Sequence, residues 1–190
     1  MFKKLSLIAL FAMMTYSANA QETQTEVKTS KFGFTSGVIT SKFELANVGQ
    51  IKEKYNPGGH DGDGIYIGLT FDIDFNENFG LNSELLYAKL DESDRYLLST
   101  SLKYRLFNSK FYSLGGLELN YLGSNPKNAL GEENVKRAGL NGLFGLEYQF
   151  SNRFSVYSNF SVEMTNRLKG DDGATNHGYH NGRLGVKFKF

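Results

Sequence analysis

Two stretches of the sequence place histidine beside aspartate, the residue types that suggest metal chemistry most readily. The first, GGHDGDG, contains His60, Asp61 and Asp63. It begins like a calcium-binding loop, but it lacks the later glutamate and the full D-x-[DN]-x-[DN]-G spacing. The second, KGDDGATNHGYH, contains Asp171, Asp172, His177 and His180, a set that would bind a divalent ion weakly. We interpret both stretches as solvated polar loops and predict neither a metal site nor a cofactor.

Nucleophilic catalysis has little support in this sequence. There is no cysteine, which excludes a thiol nucleophile, Cys-ligated zinc and a disulfide scaffold. The only serine and histidine combinations worth considering join His180 to Ser158 or Ser161. Both serines lie deep in one predicted strand and on opposite faces of it, whereas His180 lies at the rim, and no His-x-Ser motif occurs. We therefore predict that the protein is not an enzyme.

The most informative ionisable residues recur at alternate positions, on the polar face of segments whose other face is apolar. They form a predicted lumen network of Asp72, Glu84, Lys103, Arg105, Glu118, Arg137, Glu147, Glu163, Arg183 and Lys187. An isolated charge in a confined interior is costly, so near-balanced signs indicate internal ion pairs and hydrogen bonds. Two roles stay open: structural polar packing, or a narrow gated conductance. The stagger of the strands is unknown from sequence, so no pairs are assigned.

The elements that must position these residues follow a period of two. In GIYIGLTFDIDF (64–75), apolar side chains such as Ile65 and Ile67 share one face, and Asp72 shares the other with Asp74. This alternation is typical of strands, and helical spacing does not fit. It predicts eight strands, over 31–43, 64–75, 79–90, 95–107, 111–122, 138–150, 154–164 and 182–190. No long helical stretch interrupts them, so the fold class is all-β and the sheet is antiparallel.

The connections between these strands alternate in length. Three are tight turns, at 76–78, 108–110 and 151–153, and the others cover 44–63, 91–94, 123–136 and 166–179. An up-and-down barrel with short turns at one end and longer loops at the other has this pattern. An even number of strands puts both chain ends at the short-turn end.

The N-terminus has the features of a secretory signal. Basic MFKK precedes a short apolar run, and Ala18 and Ala20 form an A-x-A cleavage site. We predict a cleaved signal peptide at 1–20, a polar lead-in at 21–30 and a barrel at 31–190. An uncleaved membrane anchor is the alternative, but the apolar run is short for a stable span. The formal net charge of +1 gives no electrostatic case for nucleic acid.

Strand length and aromatic placement decide whether the apolar face points outward to lipid or inward, as in a soluble barrel. Several predicted strands reach about twelve residues, enough for the roughly nine to eleven that a tilted strand needs to cross a bilayer. Phenylalanines and tyrosines cluster beside the short turns and the C-terminus, and Tyr87, Tyr96 and Tyr121 lie toward the long loops. Two aromatic belts separated by aliphatic residues are typical of a transmembrane β-barrel.

On these features the chain resembles small outer-membrane β-barrel proteins of the OmpA/OmpX type, in particular the porin-family barrel proteins of Bacteroidota. The resemblance covers about 31–190 and implies a monomer in the outer membrane of a Gram-negative bacterium, with periplasmic termini. It also implies contact with outer-membrane lipids and lipopolysaccharide. Barrels of this kind end on an aromatic residue that the barrel-assembly machinery reads, which gives Phe190, with Phe188, the role of an assembly signal.

The expected function is that of an integral outer-membrane barrel, structural or narrow-pore, with a charge-lined interior. The alternative is adhesion or ligand binding through the loops, above all the long loop 44–63. A lipid A-modifying enzyme, a role known among eight-stranded barrels, is the remote alternative.

Overall fold

The computed structural model describes residues 29–44, 62–91, 93–107, 109–123, 136–167 and 178–190. The predicted signal peptide, including Ala18 and Ala20, lies outside these residues, as do His60, Asp61, Asp171, Asp172 and His177. The strands are β1 (Thr29–Glu44), β2 (Gly62–Asp74), β3 (Phe79–Leu90), β4 (Asp94–Arg105), β5 (Phe111–Leu122), β6 (Ala138–Gln149), β7 (Phe154–Glu163) and β8 (Gly178–Lys189). Their bounds lie within four residues of the predicted ones. No helix long and apolar enough to cross a membrane occurs in the described part of the chain.

The eight strands form one closed barrel in which each pairs antiparallel with its sequence neighbours. Closure comes from β1, which pairs with β2 on one side and with β8 on the other. Phe34, for example, is in register with Leu69 and with Phe188. The predicted up-and-down antiparallel barrel is therefore confirmed, and each of the eight described strands is paired on both sides.

The short turns are held by local side-chain caps. The Asn76 Oδ1 atom accepts the backbone N–H groups of Asn78 and Phe79, both at 2.8 Å. Strand β4 ends at Arg105, two residues before its predicted end, because Phe107 has a left-handed φ of 52° that begins the next turn. The N–H of Phe190 donates to the carbonyl of Phe32 at 2.8 Å, so both ends of the barrel wall lie at this short-turn end.

The outer surface carries the apolar residues that the period of two assigned to one face. Ile65, Leu102 and Phe144 are each more than 60% exposed. Aromatic rings pair across neighbouring strands near the short turns, with centroids 4.8 Å apart for Phe79 and Tyr104. On the loop side, Tyr87 and Tyr96 pair at 5.5 Å. The structure therefore has the two aromatic belts that a bilayer-spanning surface requires.

Candidate functional site: the charged barrel interior

Eight ionisable side chains lie in the middle of the barrel. This central charge cluster consists of the acids Asp72, Glu84, Glu118 and Glu147 and the bases Lys103, Arg183, Lys187 and Lys189. Each has a side chain no more than 4% exposed. Strands present alternate residues to the inside, so a polar period of two on several strands gathers these groups in one small volume. The formal charges of the cluster cancel.

Glu147 on β6 is the hub of the cluster at the short-turn side. Its carboxylate lies 3.1 Å from the Nζ atoms of Lys103 and Lys187 and 2.9 Å from that of Lys189. Lys189 also pairs at 2.5 Å with Asp72 on β2, the strand on the other side of β1. Three lysines from two strands thus converge on one carboxylate, so the charge of Glu147 is compensated by more than one cation.

Two further links extend the cluster toward the loop end. Lys187 pairs with Glu84 at 2.8 Å and donates to the Asn82 Oδ1 atom at 3.0 Å. Arg183 pairs with Glu118 at 2.7 Å and approaches Glu84 at 3.6 Å. Because Glu84 contacts both cations, the cluster is one connected network rather than a set of isolated pairs.

A second ionic group closes the interior nearer the loops. Arg167, just beyond the end of β7, donates through Nε to Glu163 at 2.6 Å and through Nη2 to the carbonyl of Asn120 at 2.9 Å. The other Glu163 oxygen accepts the N–H of Tyr179 at 2.9 Å. The guanidinium carbon of Arg95 lies 4.2 Å from the centroid of the Tyr179 ring, a cation–π contact.

The remaining interior is occupied by rings and aliphatic side chains. A buried cluster consists of Ile39, Tyr66, Leu86, Ala88, Leu90, Leu97 and Tyr157. The Tyr66 hydroxyl donates to that of Tyr157 at 2.8 Å, and Tyr157 contacts the Thr35 hydroxyl at 2.8 Å. Gly37 and Gly185 make room for this ring, since a Cβ atom on either would collide with the Tyr66 hydroxyl.

These layers keep the side chains in the middle of the described barrel almost inaccessible to water. Eight strands enclose a lumen just wide enough for side chains to fill, and here the side chains do fill it. The short-turn mouth is different: a cavity of about 330 Å³ opens there, lined by residues that include Lys31, Asp74 and Arg105. The described interior is therefore a packed polar core, and a vestibule opens at its short-turn end.

The residues of the predicted lumen network do not all lie in this core. Eight of the ten are buried inside the barrel: Asp72, Glu84, Lys103, Glu118, Glu147, Glu163, Arg183 and Lys187. Arg105 is half-buried at the mouth, where its Nε donates to the Tyr112 hydroxyl at 3.2 Å. Arg137 precedes β6 and is exposed, and its backbone carbonyl accepts a hydrogen bond from Arg167.

Sequence reasoning missed two buried arginines. Arg95 has the same parity as Leu97 and Lys103 on β4, so the period of two was sufficient to find it. Arg167 lies past the last residue of β7, where no periodicity applies. The only hint of an ion pair in the sequence is that Arg167 follows Glu163 by four residues. In a loop, unlike in a helix, that spacing does not predict that two side chains meet.

The described part of the chain does not assemble the Ser–His pair considered from sequence. Ser161 is buried and donates to Glu118 at 2.8 Å, whereas Ser158 is exposed on the outer wall. The His180 ring stacks on Phe160, with centroids 6.4 Å apart. Within the described residues, no group of three or more histidines and carboxylates is arranged to hold a metal ion.

Comparison with solved structures adds the fold relationship. Neisserial surface protein A superposes with a TM-score of 0.53 at 13% identity, covering 86% of this chain and 100% of that one. The chain has the fold of the small outer-membrane barrels. Two others match less closely: Ail of Yersinia pestis (TM-score 0.49, 15% identity, 85% and 99% coverage) and the N-terminal barrel of Pseudomonas aeruginosa OprF (0.47, 12%, 85% and 100%). No protein-family model and no curated protein sequence matches the chain.

Proposed function

We propose that the protein is an integral outer-membrane barrel of structural type, closed to solutes, with its chain ends on the periplasmic side. We infer a closed lumen from the central charge cluster. Its side chains are packed against one another at ion-pair distances and are almost inaccessible to water. A conducting pore needs a continuous hydrated path, and the near-complete burial of these side chains supports a closed lumen.

The membrane location is supported by the outer surface. An apolar band with aromatic belts at both margins is stable in a bilayer and would drive aggregation in water. Cell fractionation tests the location, and a mobility shift of the unheated protein on gels tests the closed barrel. Protease accessibility of a tag placed after Ala20 in intact and permeabilised cells tests the side on which the chain begins.

Single-channel recording of the refolded protein in a planar bilayer tests the closed lumen. We expect no conductance steps from the natural chain. Neutralising one hub residue, in Glu147→Gln, also leaves the lumen filled, because glutamine has nearly the same volume. Regular steps from the natural chain would overturn the proposal and favour a gated narrow pore.

The gated pore is the second candidate, and the vestibule at the short-turn mouth favours it. This cavity of about 330 Å³ brings solvent as far as Lys103, one of the cations that contact Glu147. Steps whose size changes in the Glu118→Gln or Glu147→Gln variant would assign the conductance to the cluster.

Binding through loop 44–63 stays a prediction, because most of that segment lies outside the described residues. Its test is deletion of 47–60. Mass spectrometry of lipid A with and without the protein tests the remote enzymatic alternative.

A further inference from the structure

A groove interrupts the apolar outer wall where β8 runs between β7 and β1. It has a volume of about 560 Å³. Gly182 forms its floor and is in register with Thr40 on β1 and Phe160 on β7. Glycine has no side chain, so the outward-facing row on β8 has a gap between His180 and Leu184. The groove is therefore set by sequence and is part of the folded wall.

The walls of the groove are apolar and firm. Val38, Phe160 and Leu184 line it and are each more than half exposed on the barrel exterior. The ring of His180 stacks on that of Phe160 at an interplanar angle of 20°, which fixes one wall. Because this surface belongs to the band proposed to face the bilayer, the material beside it is lipid hydrocarbon.

The depth of the groove places its upper end near the lipid headgroups. His180 lies eight residues from Phe188, which belongs to the aromatic belt at the short-turn end. At about 3.3 Å per residue and a tilt of about 40°, eight residues cover about 20 Å of depth, against an apolar band about 25 Å tall. Gly182 then lies about 15 Å above that belt on the same spacing, within the leaflet at the loop end.

The upper margin of the groove carries polar groups that match a particular headgroup. Lys42 is exposed and in register with His180, and Asp63 is exposed and in register with Thr40. A lysine ammonium pairs with phosphate, and a carboxylate accepts hydrogen bonds from sugar hydroxyl or amide groups. A phosphorylated, acylated glycolipid presents all of these groups above its hydrocarbon chains.

We propose that this groove binds one molecule of lipopolysaccharide through its lipid anchor. One acyl chain lies over Gly182, a phosphate contacts Lys42 and a sugar hydroxyl or amide contacts Asp63. The volume of the groove is in the range of about 300–1,000 Å³ that is usual for ligand sites. This inference rests on the proposed outer-membrane location with the loops outward, because only the outer leaflet supplies this glycolipid.

The test is native mass spectrometry of the full chain, extracted from outer membranes in a mild detergent. The natural protein is expected to retain one glycolipid per barrel. The variant Gly182→Leu fills the groove and removes contact with about two methylene groups of the chain, which corresponds to about tenfold weaker binding and so to a lower fraction of barrels that retain the glycolipid. The matched control is Gly115→Leu, another outward glycine whose new side chain would enter open space, with no atom within 4 Å of its Cβ.

Retention of the glycolipid by the natural protein and by Gly115→Leu, with its loss from Gly182→Leu, supports the site. Equal occupancy in all three, or adducts of phospholipid alone, overturns it. Lys42→Gln leaves the wall intact and is expected to lower occupancy severalfold, so it decides the matter if Gly182→Leu does not fold. Fractionation and the gel mobility shift of the natural protein report separately on the membrane barrel itself.

Discussion

Neutralising Glu147 tests whether the interior is a dry ionic core. The Glu147→Gln substitution keeps the shape of the side chain but removes the shared partner of Lys103, Lys187 and Lys189. The central charge cluster is then left with four cations and three anions. Removing one partner of a buried ion pair typically costs about 3–5 kcal/mol, because the other charge stays buried without compensation. We expect a loss of this size in the free energy of unfolding.

Urea titration of the protein in phosphocholine vesicles measures this loss. The chain has no tryptophan, so circular dichroism of the strands is the signal. The control is Asp94→Asn, which breaks the rim pair with Lys89, an ion pair of 2.8 Å between side chains 62% and 38% exposed. We expect little change there, since exposed pairs are screened by water.

A double variant separates charge imbalance from general damage. Adding Lys103→Gln to Glu147→Gln restores equal numbers of cations and anions, so it should recover part of the lost stability, as coupled neighbours do. If Glu147→Gln unfolds at the same urea concentration as the natural protein, the cluster is hydrated. The reasoning that closes the lumen would then be refuted.

Three further predictions concern other parts of the chain. The secreted protein is expected to begin at residue 21, and an intact mass that includes 1–20 would contradict cleavage after Ala20. Deleting Phe190 should lower the yield of heat-modifiable barrel in the outer membrane more than it lowers the loop-based binding or the unfolding free energy of protein refolded in vitro. Equal losses in cells and in vitro would mean that the residue contributes to stability alone. Gly185→Ala should destabilise the barrel by at least about 2 kcal/mol, because the new Cβ collides with the Tyr66 hydroxyl. Urea unfolding measures this loss. An unchanged unfolding free energy would show that the Tyr66 ring moves aside easily.

The wall of the barrel was predictable because a period of two is a local signal. The strand 79–90 was predicted with the bounds that the structure gives, and the outward face of β8 was predicted from Leu184, Val186 and Phe188. Turn chemistry was less readable. The sequence does not reveal that Phe107 adopts a left-handed conformation, and β4 therefore ends early.

The partners inside the barrel were not predictable from sequence. Lys187 reaches Glu84 and Glu147, which are 103 and 40 residues away, because strand stagger brings β8 level with β3 and β6. Stagger arises from closing the whole sheet and leaves no trace in any one strand. The same limit applies to Arg167, whose position depends on the path of the chain after β7.

The distribution of charge among the strands has a consequence for how the protein folds. All four acids of the central charge cluster lie on β2, β3, β5 and β6, whereas three of its four bases lie on β8. A nascent barrel that lacks its final strand therefore has four carboxylates facing one lysine. Like charges repel, so we expect these carboxylates to disfavour a dry, collapsed interior before β8 has paired.

The arrival of β8 then completes two things in one event. It joins the seam with β1, between residues such as Gly33 and Lys189 that are 156 positions apart, and it neutralises the interior. Contacts that distant in sequence form late, since their loop-closure entropy must be overcome first. Strand β8 supplies both the last strand pairing and three of the four cations of the central charge cluster, so we expect water to leave the interior only after this strand has paired.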